Sequence, residues 1–517
     1  MAARNAPETE TSSSQAWNPR LALLVAATFF MEFLDGTILT TAIPNIASDF
    51  GVPAADVNIA MTAYLMTVAM GIPLSGWLAE RVGARKIFCV AIALFTLASL
   101  ACAVSPDLTV LTLSRILQGA GGAMMVPVGT LLVLRGTPKS ELLRATAFLV
   151  WPALLAPVLA PLVGGALTTY LSWHWIFLIN LPLGAAAFIA ALSLVPASAG
   201  DSTRRLDWLG LLLTTTGVGA LVVGLELATA HPDGPWAALS AAAGVCSLAA
   251  AVLWMRRAKN PLFDLNVFST RTFRAMATGG FVYRLTISSV PFLLPLMFQT
   301  GFGWSPLHAG IMVAAVFIGN IGIKPATTPL IRRFGFRAML VFGSLASAVT
   351  FALCALLTPD TPQALTFALL VCSGAFRSIG FSAYASVQYA DIAPAQLASA
   401  NSVSATLVQL AAGAGIAVGA LLIRIFDGVA AFPADHAGPF RGAFLTMAVL
   451  MLFSTADSLS LHRHAGAEVS RPGGPKANQS ADRKLTQSGG PRVSRPGQAP
   501  AEEQPPPPPG AGHVQPR

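Results

Sequence analysis

The sequence predicts an all-α integral membrane protein, and three observations carry the prediction. Hydrophobic residues make up 54% of the chain and charged residues 11%, against about 25% charged in an ordinary soluble domain. Fourteen runs near the length that crosses a bilayer core as a helix recur between Leu21 and Leu461. Lys and Arg collect in alternate loops between these runs, the asymmetry that sets topology in a membrane.

In chain order the spans fall at 21–43, 57–79, 87–104, 108–134, 143–169, 174–196 and 207–228, then 236–255, 272–298, 308–330, 338–357, 364–387, 402–425 and 441–461. Thr, Pro or Arg interrupts the second, fifth and ninth, and the ninth, RTFRAMATGGFVYRLTISSVPFLLPLMFQ, is the weakest. One set of loops carries Arg81, Arg85 and Lys86; Arg135, Lys139 and Arg144; Arg204 and Arg205; Arg256, Arg257, Lys259, Arg271 and Arg274; and Arg332, Arg333 and Arg337. That side is expected to be cytoplasmic. The opposite loops hold Asp49, Asp233 and Asp360, and an even number of spans places both termini inside.

The formal net charge of +9 therefore reads as a topology signal, because no basic patch interleaved with aromatics accompanies it and no nucleic-acid partner is expected. The polar start MAARNAPETETSSSQAWNP lacks the pattern of a cleaved signal peptide, so the first span should remain as an anchor. Residues 465–517, rich in Pro and Gly and without apolar periodicity, read as a disordered cytoplasmic tail. The five cysteines lie inside spans with no ligand spacing, which implies neither a disulfide framework nor a metal site, and no cofactor is implied. The seven histidines are scattered, whereas a membrane enzyme or receptor, the distant alternative, would need a polar cluster near one face. No GxxxxGK[ST] loop for nucleotide-driven pumping is present.

Charges inside the spans are the candidate functional groups, since a carboxylate at the centre of a membrane helix costs roughly 3 kcal/mol. Glu32 and Asp35 in FFMEFLDGTILTTAIP are three residues apart and share one helical face. Burial and a neighbouring like charge both disfavour an ionised carboxyl, so such a pair can load and release a proton; neutralisation by a structural partner is the alternative. Arg115 stands three residues before Gln118 in the fourth span and, unable to lose its proton, must find a carboxylate or cap carbonyls. Glu226 is the third intramembrane acid, near the outer end of the seventh span, where an interfacial position also accounts for it. Arg284, Lys324 and Arg377 are cations on three later spans, able to hold anionic groups of a substrate or to balance the N-terminal carboxylates.

Gly119, Gly121 and Gly122 in the fourth span and Gly164 and Gly165 in the fifth permit close helix approach. Pro152, Pro157 and Pro161 remove backbone hydrogen bonds and should bend the fifth. GWLAERVGARK, Gly76 to Lys86, has a counterpart about 250 residues later in TPLIRRFGFRA, where Arg332, Arg333, Gly335 and Arg337 match Glu80, Arg81, Gly83 and Arg85 in spacing. Two related bundles follow from that repeat.

GWLAERVGARK resembles the loop motif of the major facilitator superfamily, and LSRILQGAGGAMMVP resembles its fourth-helix motif. With FLDGTILTTAIP, WPALLAPVLAPLVGG, SWHWIFLINLPLG and fourteen spans, residues 20 to 460 are similar to the fourteen-helix drug:proton antiporters. Glu80 stands where that family usually has Asp, Ala84 replaces one of its basic positions, and Ala156 and Ala160 replace two usual glycines. The resemblance implies a major facilitator fold of two six-helix bundles, 21–196 and 261–464, joined by two extra helices in 197–260, after a cytoplasmic segment 1–20. It also implies proton-coupled export of amphipathic drugs or toxic compounds from the bacterial inner membrane by alternating access. Asp35, Glu32, Arg115 and Glu226 would carry proton coupling, and Gln118, Arg284, Lys324 and Arg377 would line the substrate cavity. Gly76, Glu80, Arg81, Gly83 and Arg85 would form a cytoplasmic latch; topology determination alone is the simpler reading of those charges. The expected partners are protons, a small-molecule substrate and the lipid bilayer, with a monomer expected unless a periplasmic adaptor joins it. A transporter of one defined metabolite is the runner-up.

Overall fold

In the computed structural model the described residues are 18–197, 199–230, 235–427, 437–462 and 465–466. The segment 1–17, the loop with Asp233 and the tail beyond 466 lie outside them. Among the described residues the regular structure is entirely helical.

The N-terminal half contains α1 (Pro19–Ile38), α2 (Ala54–Leu78), α3 (Ala84–Ala103), α4 (Leu108–Arg135), α5 (Leu142–Tyr170) and α6 (Asn180–Leu194). Two intervening helices follow, α7 (Trp208–Ala230) and α8 (Pro235–Met255). The C-terminal half contains α9 (Phe281–Leu296), α10 (Pro306–Gly322), α11 (Lys324–Phe334), α12 (Phe336–Ala355), α13 (Gln363–Val387), α14 (Leu397–Asp427) and α15 (Gly438–Leu459). Caps open several of them where the chain leaves the apolar run. The Asn18 side chain accepts from the backbone amides of Arg20 and Leu21 at 3.0 and 3.3 Å, and Asp107 accepts from Val110 at 2.9 Å, which satisfies donors that a helix start leaves free.

Among the described residues eleven helical segments can cross a membrane by length and hydropathy, or twelve with a bent pair counted as one span. One of the eleven, Asp56–Ala103, is 48 residues long and holds both α2 and α3, joined through a π turn at Ala79–Gly83. The 29-residue α5 coincides with the expected fifth span, so each of the fourteen runs has a helical counterpart. The weak ninth run is one continuous helical stretch of 31 residues, Arg271–Gly301. The tenth is not straight: α10 and α11 meet at 49°, where Ile323 separates them and Pro325 in the first turn of α11 cannot donate a helical hydrogen bond.

The packing is repeated. In the N-terminal half α2 and α3 pack on α4, α1 on α5, and α3 on α6. In the C-terminal half the corresponding helices pair in the same way: α10 and α12 on α13, α9 on α14, and α12 on α15. The loops matched in sequence are matched in backbone too, with Gly83 at φ 102° and Gly335 at φ 82°, a region that residues with a Cβ rarely adopt. Buried apolar side chains gather into clusters that follow the halves, and the helix faces turned outward carry Leu97, Leu162, Ile189 and Val449, all exposed. Lipid is the medium that suits such faces.

The hairpin α7–α8 lies beside the seam where α2 meets α14. Gly219 of α7 abuts the Met70 side chain, and Leu225 abuts Gly413 of α14.

Candidate functional site

The centre of the N-terminal half holds a polar network in an otherwise apolar interior. Arg115 of α4 donates through Nη1 to Asp35 Oδ2 of α1 at 2.5 Å and to Gln118 Oε1 at 2.7 Å. Both charged side chains are wholly buried. Asp35 Oδ1 also accepts from Gln118 Nε2 at 2.9 Å and from Asn180 Nδ2 of α6 at 2.8 Å, and the same two amides reach Ser99 Oγ of α3 at 2.6 and 3.0 Å. Four helices thus meet in one network, with α4 and α6 reaching the carboxylate itself and α3 reaching the amides that hold it. Arg115 Nε and Nη2 have no hydrogen-bond partner among the described residues, but the guanidinium carbon stands 4.0 Å from the Tyr64 ring centroid and 5.8 Å from that of Phe177. Aromatic faces offset part of what burial costs the cation.

Glu32 lies one turn before Asp35 on α1 and is buried, with Oε2 lacking a hydrogen-bond partner among the described residues. Space for it comes from Gly122: a Cβ there would stand 3.4 Å from the Glu32 carboxyl and from the Tyr64 hydroxyl. Gly119 serves the same packing, since its Cβ would be 2.8 Å from the Tyr64 carbonyl oxygen. Gly164 lets α5 approach α1, where a Cβ would fall 2.8 Å from the Ile38 side chain. Gly165 differs from expectation, because a Cβ there would meet nothing within 4 Å and helix packing does not require glycine. Pro157, Pro161 and Glu226 lie on described helices, α5 and α7, but their side chains are outside the described ones.

A second feature lies between the halves. A cavity of about 910 Å³ is walled by α1, α5 and α6 on one side and by α11 on the other. Its lining is mostly apolar, with Phe30, Phe148 and Trp151 among the rings and Lys324, Arg144 and Arg332 as its charges. Lys324 is 3% exposed and donates to Ser382 Oγ at 2.7 Å. Of the four residues expected to line a substrate cavity, only Lys324 is on this lining. Gln118 belongs to the Asp35 network. Arg284 and Arg377 are buried elsewhere in the C-terminal half, Arg284 with its guanidinium carbon 5.1 Å from the Phe381 ring centroid.

The third feature is the loop between α2 and α3. Glu80 pairs with Arg204 and, at 3.9 Å, with Arg135. Arg81 donates to the backbone carbonyls of Ser202 and, at 2.8 Å, of Arg204, and Arg85 donates to the Leu192 carbonyl. Burial pulls the Arg204 guanidinium below its ordinary range. The loop is thereby tied to the segment that leads from α6 into α7. Near the same basic end the halves touch directly. A Cβ on Gly76 would stand 2.1 Å from Ser402 Oγ of α14, Asn401 Nδ2 donates to the Pro127 carbonyl at 2.7 Å, Thr146 and Ser386 hydroxyls are 2.7 Å apart, and Arg332 lies 3.8 Å from Glu141.

Asn180, Ser99, Tyr64, Asn401 and Ser402 did not stand out in the sequence. Asn180 had the clearest signal, a lone amide in the run IFLINLPL. Ser99 had none, since a buried Ser can satisfy itself on its own helix.

The sequence profile of the Major Facilitator Superfamily matches residues 25–208 and 276–495. The MdtD protein of Cronobacter sakazakii, named for multidrug resistance, is 38% identical over 435 residues, which is 83% of this chain and 91% of the relative. That of Escherichia fergusonii, which bears the same name, is 39% identical over 405 residues, 78% and 86% of the two chains. Among solved structures, the human organic anion transporter MFSD10 superposes with a TM-score of 0.61 at 16% identity, over 85% of this chain and 99% of its own. A bacterial homologue of the iron transporter ferroportin, in an outward-facing state, gives 0.58 at 13%, over 85% and 98%. These two likenesses concern the fold.

Proposed function

The chain belongs to the Major Facilitator Superfamily, and from that premise we propose that it exports amphipathic compounds from the cytoplasm, driven by inward proton flow through alternating access. The observation that carries the reading is the buried Asp35–Arg115 pair, in which donors from two helices, α4 and α6, hold a carboxylate on a third. Names of relatives that refer to multidrug resistance favour the same reading.

A proton arriving at Asp35 removes the charge that Arg115 faces. The guanidinium then keeps Gln118 and the Tyr64 ring as partners, and α1 is no longer tied to α4 by a full ion pair. Glu32, one turn away with a bare oxygen, is the relay between Asp35 and the cavity wall formed by α1. The Gly76–Ser402 approach and the Asn401, Thr146 and Glu141 contacts form the gate that closes the basic end and opens when the halves rock apart. Residues 21–196 and 261–464 are the moving halves, 197–260 supplies the intervening hairpin, and 1–20 and 465–517 are cytoplasmic. The Lys and Arg of the basic end favour its lying on the cytoplasmic side of a bacterial inner membrane, and the unit acts as a monomer unless a periplasmic adaptor joins it.

The test is purified protein in proteoliposomes with an imposed pH gradient, screened over cationic, neutral and anionic amphiphiles and small metabolites. Gradient-dependent movement of several unrelated amphiphiles supports the reading. Movement of a single metabolite and no amphiphile replaces it with the narrower one.

A further inference from the structure

Sixteen described residues line the cavity between the halves; three of these are cationic and none is acidic. The charges are not equivalent. Arg144 and Arg332 share Glu141, at 4.0 and 3.8 Å, so the mouth is partly neutralised. Lys324 lies deeper, 3% exposed, and its ammonium has the Ser382 hydroxyl and, at 5.8 Å, the Phe381 ring as neighbours but no carboxylate in ion-pair reach among the described residues. A serine hydroxyl orients an ammonium without cancelling its charge, and a buried uncompensated cation is costly. Around it stand the apolar and aromatic side chains of Phe30, Met31, Phe148 and Trp151. Surfaces of this kind accept a ligand that brings both an apolar body and a negative group.

We propose that the cavity binds amphipathic anions, with Lys324 as counter-ion to the anionic group and the rings of α1 and α5 against the apolar body. The proposal rests on the transport reading above and deepens it by naming a substrate class. The anionic group is an oxyanion in either of two sources, a free organic sulfonate or carboxylate, or the phosphate of an anionic phospholipid.

Equilibrium binding to the full chain in nanodiscs of zwitterionic lipid tests it, using 1-anilinonaphthalene-8-sulfonate and its uncharged counterpart N-phenyl-1-naphthylamine. The sulfonate should bind saturably, and Lys324→Gln should weaken it about tenfold or more, the scale of one lost charge-assisted hydrogen bond. Lys324→Arg should keep most of the affinity, and the neutral probe should bind all three proteins alike, which also reports that the variants are folded. Equal weakening of both probes, or no change in either, overturns the proposal. Adding phosphatidylglycerol to the nanodisc separates the sources: displacement of the sulfonate assigns the site to a lipid phosphate, and its absence to free amphiphiles. Because binding needs no gradient, failure of the transport reading shows separately, as absence of gradient-driven movement while the Lys324-dependent binding persists. Conversely, gradient-driven export of a cationic dye by Lys324→Gln, with no sulfonate binding to the parent protein, removes this proposal and leaves the transport reading standing.

Discussion

Arg115 reaches Asp35 across 80 positions of sequence, at 2.5 Å, with neither side chain exposed. Removing one member of such a pair leaves the other charge buried alone, at a cost of roughly 3–5 kcal/mol. Arg115→Gln and Asp35→Asn should each lower the unfolding temperature in detergent. The double variant should lose less than the two single losses added, because no orphan charge remains. Additive losses would show that the two groups do not act as a pair.

The backbone at Gly83 and Gly335 is at φ 102° and 82°, where a side chain costs about 1–3 kcal/mol. Gly83→Val should therefore distort the loop that ties Glu80 to Arg204 and Arg81 to the 202–204 backbone. Turnover should fall more than the amount of protein in the membrane, and Gly335→Val should behave in the same way. Unimpaired transport at normal expression would reduce the loop to a topology signal.

Gly76 admits Ser402 so closely that any Cβ would collide with its hydroxyl. Cysteines introduced at Thr146 and Ser386, whose oxygens are 2.7 Å apart, should form a disulfide across the halves in a background without the native cysteines. Gly76→Val should depress that cross-link by forcing α2 away from α14. Cross-linking that ignores the substitution would mean that the two contacts do not open together.

Much of this architecture was legible in the sequence because lipid allows few solutions. An apolar run of membrane length has to be a helix, so the spans, including the doubtful Arg271–Gly301 stretch, could be read one by one. The repeat was legible in two loops, through Gly83 and Gly335, whereas the repeated helix pairing needed coordinates. Intramembrane charge drew attention to Asp35 and Arg115, and the structure joined them. Charge did not reveal which cation lines the cavity: Lys324, Arg284 and Arg377 are all lone cations in apolar runs, and in the structure it is Lys324, at the break between α10 and α11, that stands on the lining. Neutral partners such as Asn180 and Ser99 were hidden because an amide or hydroxyl in an apolar run carries no sign of what it bonds.

The most direct measurement is uphill transport by Asp35→Asn in proteoliposomes with an imposed pH gradient. Asn matches the volume of Asp35 and can still accept from Asn180 and Gln118, but it cannot take up a proton. Gradient-driven accumulation should vanish, while substrate exchange without a gradient should persist in the folded fraction. Glu32→Gln should do less harm. If Asp35→Asn builds a substrate gradient from the pH gradient at near the parent rate, the proton does not travel through the Asp35–Arg115 pair and the account is wrong at its centre.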